Sequence, residues 1–287
     1  MLDRRTMRAA LAGCALVALL RWGDPALATP SPSIRLPRIV SINPCLDAIL
    51  VRVAEPQQIA GISHYSQDPI ATSIPLQVAR RFHATSGTAE EVIALAPDEV
   101  ISGPHVSPST LDALERLGVH LTKLGVPESV AESERQIRVI AAIASAPERG
   151  EILIEQIESA LARAGPPDDR LLPALIWQSN GVVPGKGTLA DELLRRTGYR
   201  NLSASYGLHK WDILPLEYLI AAPPALVLSP GTGRAGRDRT LEHPVLRRLA
   251  GSVAFRSYPF RLLQCGGPTI VESVSRLAAI RHEPWPP

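Results

Sequence analysis

Residues 129–164 carry helical pattern and nothing else, and on both sides of that stretch short apolar runs alternate with amphipathic ones. Strands that alternate with helices at short spacing build mostly parallel sheets covered by helices. Two such regions separated by a helix-only segment imply two α/β lobes with a stiff helical link. The link divides into 129–145 and 147–164. In the second part Ile152, Gln156, Ile157, Ala160 and Leu161 recur at helical spacing before Gly165-Pro166-Pro167 ends it.

In the first lobe, 38–42 (RIVSI) reads as a strand ending in the turn signal Asn43-Pro44, and 45–54 as a helix with Leu46, Ile49, Leu50 and Val53 on one face. A strand at 58–62 precedes a polar loop at 64–73. Thr88 caps a helix running to 95, with Glu90 and Glu91 in its first turn, where the helix dipole favours acids. A strand (99–102), a helix (109–117) and a strand (119–124) complete the lobe. The second lobe reads as strand 174–177, loop 181–187, helix 188–197, helix 216–222, strand 225–229, loop 229–236, helix 244–249, strand 252–256 and helix 269–280. The expected boundaries are 38–126 for the first lobe, 127–167 for the connector and 168–287 for the second.

One internal match relates the lobes. EEVIALAPDEVISGP at 90–104 and EYLIAAPPALVLSPG at 217–231 share six of fifteen positions, and both read as helix, proline break and apolar strand.

The first 28 residues read as an export signal: Arg4, Arg5 and Arg8, then the 12-residue apolar run 9–20, then Ala26-Leu27-Ala28 as a cleavage site. That run is shorter than the roughly 20 residues of a membrane-spanning helix. Arg4-Arg5 fits a twin-arginine signal and an ordinary secretory signal alike. Leu11-Ala12-Gly13-Cys14 looks like a lipidation site, but the apolar run continues past Cys14, so cleavage after Ala28 is expected, with 29–37 as a flexible lead-in. Removing 28 of the 287 residues leaves 259 and takes the formal charge from +2 to 0, because four arginines and two aspartates leave with the signal. That balance gives no basic surplus for nucleic acid. Cys45 and Cys265 remain in an oxidising compartment, where a pair can bridge or present thiolates to a metal complex. A bridge across a cleft that opens would restrict its hinge, which argues against one unless it lies near the hinge.

The strand 38–44 (RIVSINP), the unit 90–101, the helix-only middle and 217–228 together resemble the periplasmic binding proteins for iron-siderophore complexes and vitamin B12 over nearly all of residues 38–280. The resemblance implies two Rossmann-like α/β lobes joined by a single long backbone helix. It also implies a receptor, not an enzyme, that acts as a monomer. Such a receptor delivers a metal chelate carrying cobalt or iron, with no cofactor of its own, to the permease and ATPase of an ABC importer at the inner membrane. In the family one acid on each lobe docks on permease arginines. The matching positions here are Glu90 and Glu217, each seven residues before its proline.

Ligands of α/β sheets sit at the carboxyl ends of strands. This places Asn43, Cys45, His64, Tyr65 and His105 of the first lobe, and Trp177, Arg234 and Cys265 of the second, as ligand contacts, to which aromatic scarcity adds Tyr206 and Trp211. Aromatic residues are only 4% of the chain, so Tyr65, Trp177, Tyr206 and Trp211 stand out as a wall for a planar macrocycle or catechol. His64 and His105 offer axial nitrogens, and Arg234 with Arg237 an anion site. Two other readings are weaker. A receptor for free zinc or manganese needs clustered ligands, whereas the seven histidines are scattered. An exported hydrolase would show G-x-S-x-G or H-E-x-x-H, and neither is present.

Overall fold

Side-chain alternation along short apolar strands sets the architecture. In a computed structural model, which describes residues 35–230 and 253–283, β1 (Ile39–Ser41), β2 (Ile59–Ser63), β3 (Ala84–Thr85), β4 (Glu99–Ser102) and β5 (His120–Lys123) form one sheet. Its order is β3-β2-β1-β4-β5, with all neighbours parallel. Within β1, Ile39 and Val40 point to opposite faces and enter different hydrophobic clusters, as period-two alternation requires. The helices of this lobe are α1 (Pro44–Val53), α2 (Leu76–Ala79), α3 (Ala89–Ala94) and α4 (Pro108–Arg116). Asn43 caps α1, and the Thr88 hydroxyl caps α3 by accepting from the Glu91 N–H.

The link is α5 (Val130–Ile143) followed by α6 (Pro147–Arg163), the longest described helix at 17 residues. Ser145, at φ 55°, turns the chain between them, and Pro147 opens α6 where its missing N–H costs nothing. Gly150 lets the two helices approach, since a Cβ there would lie 2.7 Å from the Ala141 Cβ.

Beyond the link come β6 (Leu172–Ile176), β7 (Val182–Pro184), α7 (Leu189–Arg196), β8 (Tyr199–Asn201), α8 (Leu202–Ser205), β9 (Trp211–Ile213), α9 (Leu216–Ala221), β10 (Leu226–Ser229), β11 (Ala254–Ser257), α10 (Arg261–Gln264) and α11 (Thr269–Arg281). A parallel sheet runs β11-β10-β6-β8, while β7 and β9 pair as a separate antiparallel ribbon. The sequence predicts a loop at 181–187. Three residues of it are strand, because they pair with 211–213, a partner too distant along the chain for local pattern to show.

The two sheets bury one face each in a single core. That cluster joins Ile39 and Ile101 of the first sheet, Leu46, Ile49 and Leu50 of α1, Ile137 and Ile140 of α5 and Ile154 and Ile157 of α6. From the second lobe it takes Ala174 and Ile176 of β6 and Ile270, Val274 and Leu277 of α11. The outer faces pack separately, around Val40, Val92 and Val100 in one lobe and Leu175, Trp177 and Val227 in the other. The two α/β lobes expected from the sequence therefore lean on one helical layer. The signal 1–28 with Cys14 and Ala28, the lead-in up to residue 34, the helix 244–249, Arg234 and Arg237 lie outside the described residues.

Candidate functional site: a cleft at the strand ends

The loops that leave the carboxyl ends of both sheets surround one cavity of about 1130 Å³. Asn43 to Leu46 follow β1, Ser63 to Tyr65 end and follow β2, Ser86 to Thr88 follow β3, Gly103 to Ser107 follow β4, and Leu124 to Glu128 follow β5. Gln178 follows β6, and Phe260 and Leu263 to Gly266 follow β11. Parallel strands run their carboxyl ends to one edge, so loops from both lobes converge there.

Of the residues expected as ligand contacts, Asn43, Cys45, His64, Tyr65, His105, Trp211 and Cys265 line this cavity. His64 and Tyr65 sit together, with ring centroids 4.1 Å apart and Tyr65 half exposed. The His64 Nδ1 lies 3.2 Å from the Thr85 carbonyl oxygen. A carbonyl only accepts, so Nδ1 carries the proton and the neutral ring keeps its lone pair on Nε2. Asn43 lines the cleft but spends its side-chain oxygen capping α1, accepting from the N–H groups of Cys45 (2.9 Å) and Leu46 (3.3 Å). Gly103 makes room for it, since a Cβ there would fall 2.2 Å from the Asn43 amide nitrogen.

Trp177 and Tyr206 are not in the cleft. Trp177 is 1% exposed and packs with Leu175, Val183 and Leu219 on the outer face of the second sheet. The reason is parity: Ala174 and Ile176 face the shared core, so Leu175 and Trp177 face away from it. Tyr206 packs against that same outer cluster, and its hydroxyl donates to the Ala222 carbonyl at 2.8 Å. Arg234 lies outside the described residues.

Cys45 and Cys265 form a disulfide, with Cα atoms 5.0 Å apart across a separation of 220 residues. The expectation against a bridge fails because the bond sits where the lobes already meet. Beyond Cys265, the Gly267 N–H donates to the Ser133 hydroxyl of α5 at 2.6 Å, and a Cβ on Gly267 would lie 2.6 Å from Ile49 of α1. The sulfurs are in a bridge and are no thiolate ligands.

Three features of the wall were missed in the sequence. Lys210, at φ 56°, ion-pairs with Glu128 across the cleft, and among the described lining residues these two are the only Lys, Arg, Asp or Glu side chains. Phe260 adds an aromatic edge, 37% exposed. Behind the wall, Asp47 of α1 is fully buried and holds the loop that carries His64 and Tyr65. Its Oδ2 accepts from the Ser63 N–H at 2.9 Å and the Ser66 hydroxyl at 2.6 Å. Burial pushes this carboxyl up to about 8, against the opposite pull of the Ser41, Ser66 and Ser63 donors. An acid one position along from the apolar face of a predicted helix was the available signal.

The docking candidates differ from their neighbours. Glu91 is occupied: its carboxylate accepts from the Thr85 hydroxyl (2.9 Å) and the Ser86 N–H (2.6 Å), and the Ser86 donor holds it below the usual range. Glu90 and Glu217 are exposed and make no hydrogen bond or ion pair among the described residues. Tyr218 and Ile220 stand exposed beside Glu217 on α9.

Among the described residues no three His, Cys, Asp or Glu side chains cluster closely enough to hold a metal ion. The model of a family described as periplasmic binding protein matches residues 39–250. Among solved structures, the periplasmic heme-binding protein RhuT from Roseiflexus sp. RS-1 is 24% identical, with a TM-score of 0.68 over 85% of this chain and 97% of that one. The periplasmic heme-binding protein HutB of Vibrio cholerae is 17% identical, with a TM-score of 0.72 over 86% and 99%. The periplasmic vitamin B12 binding protein BtuF of Vibrio cholerae is 15% identical, with a TM-score of 0.66 over 85% and 96%. No curated protein matches the chain.

Proposed function

The chain belongs to the periplasmic binding protein family, and we propose that it is an exported receptor that holds a metal chelate in the cleft and hands it to the permease of an ABC importer. The cleft carries this reading. A volume of about 1130 Å³ exceeds the roughly 300–1,000 Å³ of most small-molecule sites and suits a large ligand. A bare ion would need a handful of donors at about 2 Å. The wall is largely apolar, Tyr65, Trp211 and Phe260 offer aromatic faces, and His64 presents a free ring nitrogen. The charges of Glu128 and Lys210 are spent on each other, which suits a chelate whose metal charge is already balanced by its ring or arms. The names of RhuT, HutB and BtuF point the same way, to heme and vitamin B12. Of the ligand classes, a planar metal macrocycle fits best and a ferric siderophore second.

Delivery rests on Glu90 and Glu217, two exposed carboxylates on separate lobes and free to meet arginine forks. The test is a titration of the purified receptor with cyanocobalamin, cobinamide, hemin, a ferric hydroxamate siderophore and zinc, followed by fluorescence. Trp211 is 43% exposed at the cleft, so the difference in quenching between wild type and Trp211→Phe isolates the part that reports the cleft. Tight binding of one chelate and not of zinc is expected; binding of zinc alone sinks the reading. Glu90→Lys with Glu217→Lys should abolish uptake in cells while leaving the dissociation constant unchanged.

A further inference from the structure

The loop that carries His64 and Tyr65 is tied down entirely from behind. Gln67 Nε2 donates to the carbonyls of Ala79 (3.2 Å) and Phe82 (2.9 Å), and His64 Nδ1 to that of Thr85. The remaining two ties flank the ligand-facing pair: the Ser63 N–H on one side and the Ser66 hydroxyl on the other. Both end on the same atom, Oδ2 of Asp47. The other oxygen, Oδ1, is buried and has no hydrogen-bond partner among the described residues.

We propose that Asp47 is the positioning residue of the cleft: through Ser63 and Ser66 its buried carboxyl sets where His64 and Tyr65 meet the ligand. This rests on the reading of the cleft as the ligand site. A loop whose two flanks end on one acceptor keeps its aromatic and imidazole groups in place before the ligand arrives, so little ordering cost remains on binding.

The same arrangement makes the grip depend on pH. Ser41 faces the carboxyl from β1, Ser63 from β2 and Ser66 from the loop, and no charged side chain contributes to its shift. With the carboxyl pushed up to about 8, the folded receptor carries Asp47 neutral at neutral pH. Ionisation above that point leaves a charge behind the loop with one oxygen unpartnered, and access of water to the carboxyl relieves it. A ligand seated over His64 and Tyr65 shuts that water out, so the bound form holds the proton more tightly than the free form. Affinity is therefore full below about pH 8 and falls above it, by at most tenfold per pH unit for one linked proton.

The test is hydrogen–deuterium exchange of segment 63–67 across pH 6–10 in the ligand-free receptor, corrected for intrinsic rates, together with hemin and cyanocobalamin titrations over the same range. In the wild type, exchange of this segment should rise with pH up to about 8 and level off above it, where affinity begins to fall. Asp47→Asn keeps an acceptor and cannot ionise, so it should keep the segment protected and flatten both profiles. Asp47→Ala should expose the segment at every pH. Ser66→Ala, which loses a single donor, should weaken probe binding about three- to tenfold, the worth of one hydrogen bond. It also covers the case in which Asp47→Ala does not fold. A wild-type pH profile in Asp47→Asn, or unchanged exchange in both Asp47→Ala and Ser66→Ala, overturns the proposal. The exchange measurement needs no ligand, so failure of every probe counts against the cleft reading and leaves this result standing.

Discussion

Opening the Cys45–Cys265 disulfide, by a dithiol reductant or by Cys45→Ser with Cys265→Ser, should cost a large share of the stability of the receptor. The bond closes a loop across 220 residues, most of the 287-residue chain. The chain-entropy relation gives about 5 kcal/mol for a loop of that length, and native bonds deliver about 2–5 kcal/mol. The upper part of that range is expected here. The Ser133–Gly267 hydrogen bond and the packing of Gly267 on Ile49 hold Cys265 near Cys45 whether or not the sulfurs are joined. Little native structure is lost on reduction, and the effect falls on the unfolded chain. Urea unfolding followed by the emission of buried Trp177 measures it. With about 3 kcal/mol per molar urea for a chain of this size, the midpoint should fall by about 1–2 M. The shared core predicts one transition for both lobes. A midpoint that moves by less than about 0.3 M once mass spectrometry shows the thiols free refutes the argument. So does finding both thiols free in the exported protein.

Two further outcomes follow from packing. Trp177→Ala should lose about 3–5 kcal/mol, read as a lowered melting temperature. Trp211→Ala, at an exposed cleft position, should stay within about 0.5 kcal/mol of wild type and reduce the ligand-induced quench. Gly150→Val drives a Cβ to within 2.7 Å of the Ala141 Cβ between α5 and α6. It should cost about 1–3 kcal/mol in urea unfolding, and an unchanged midpoint would show that the helix pair can shift to accept it.

The fold was legible because its cues are local. Thr88 caps the helix it was read as capping, Thr188 caps the helix read at 188–197, and β4 spans the residues 99–102 read from the sequence. The strand-end rule found most of the cleft wall on the same basis, since it needs only the place where each strand stops. It failed where the answer depended on which face a side chain takes. Trp177 reads as the last residue of the strand 174–177; β6 is Leu172–Ile176, and parity sends the side chain of Trp177, one residue past it, into the outer core. Pairings across long separations left no local trace: β7 with β9, Cys45 with Cys265, Lys210 with Glu128. Glu90 and Glu91 are equivalent in a first-turn pattern, and only the hydrogen bonds of Glu91 to Thr85 and Ser86 tell them apart.

The two links across the cleft differ greatly in strength, and that difference decides where motion belongs. At the buried end the lobes share a continuous core, a disulfide and the Ser133–Gly267 bond. At the exposed edge they are joined by Lys210 and Glu128, whose side chains are 56% and 49% exposed. An ion pair that open to solvent contributes about 0–1 kcal/mol and is screened by salt. Any widening that admits a ligand therefore breaks this pair first and leaves the disulfide end fixed. Glu128→Gln should then speed ligand entry at low ionic strength and lose that advantage as salt rises, whereas opening at the disulfide end would show no such salt dependence. Since the joint at the buried end stays closed, occupancy changes the separation of the lobes little.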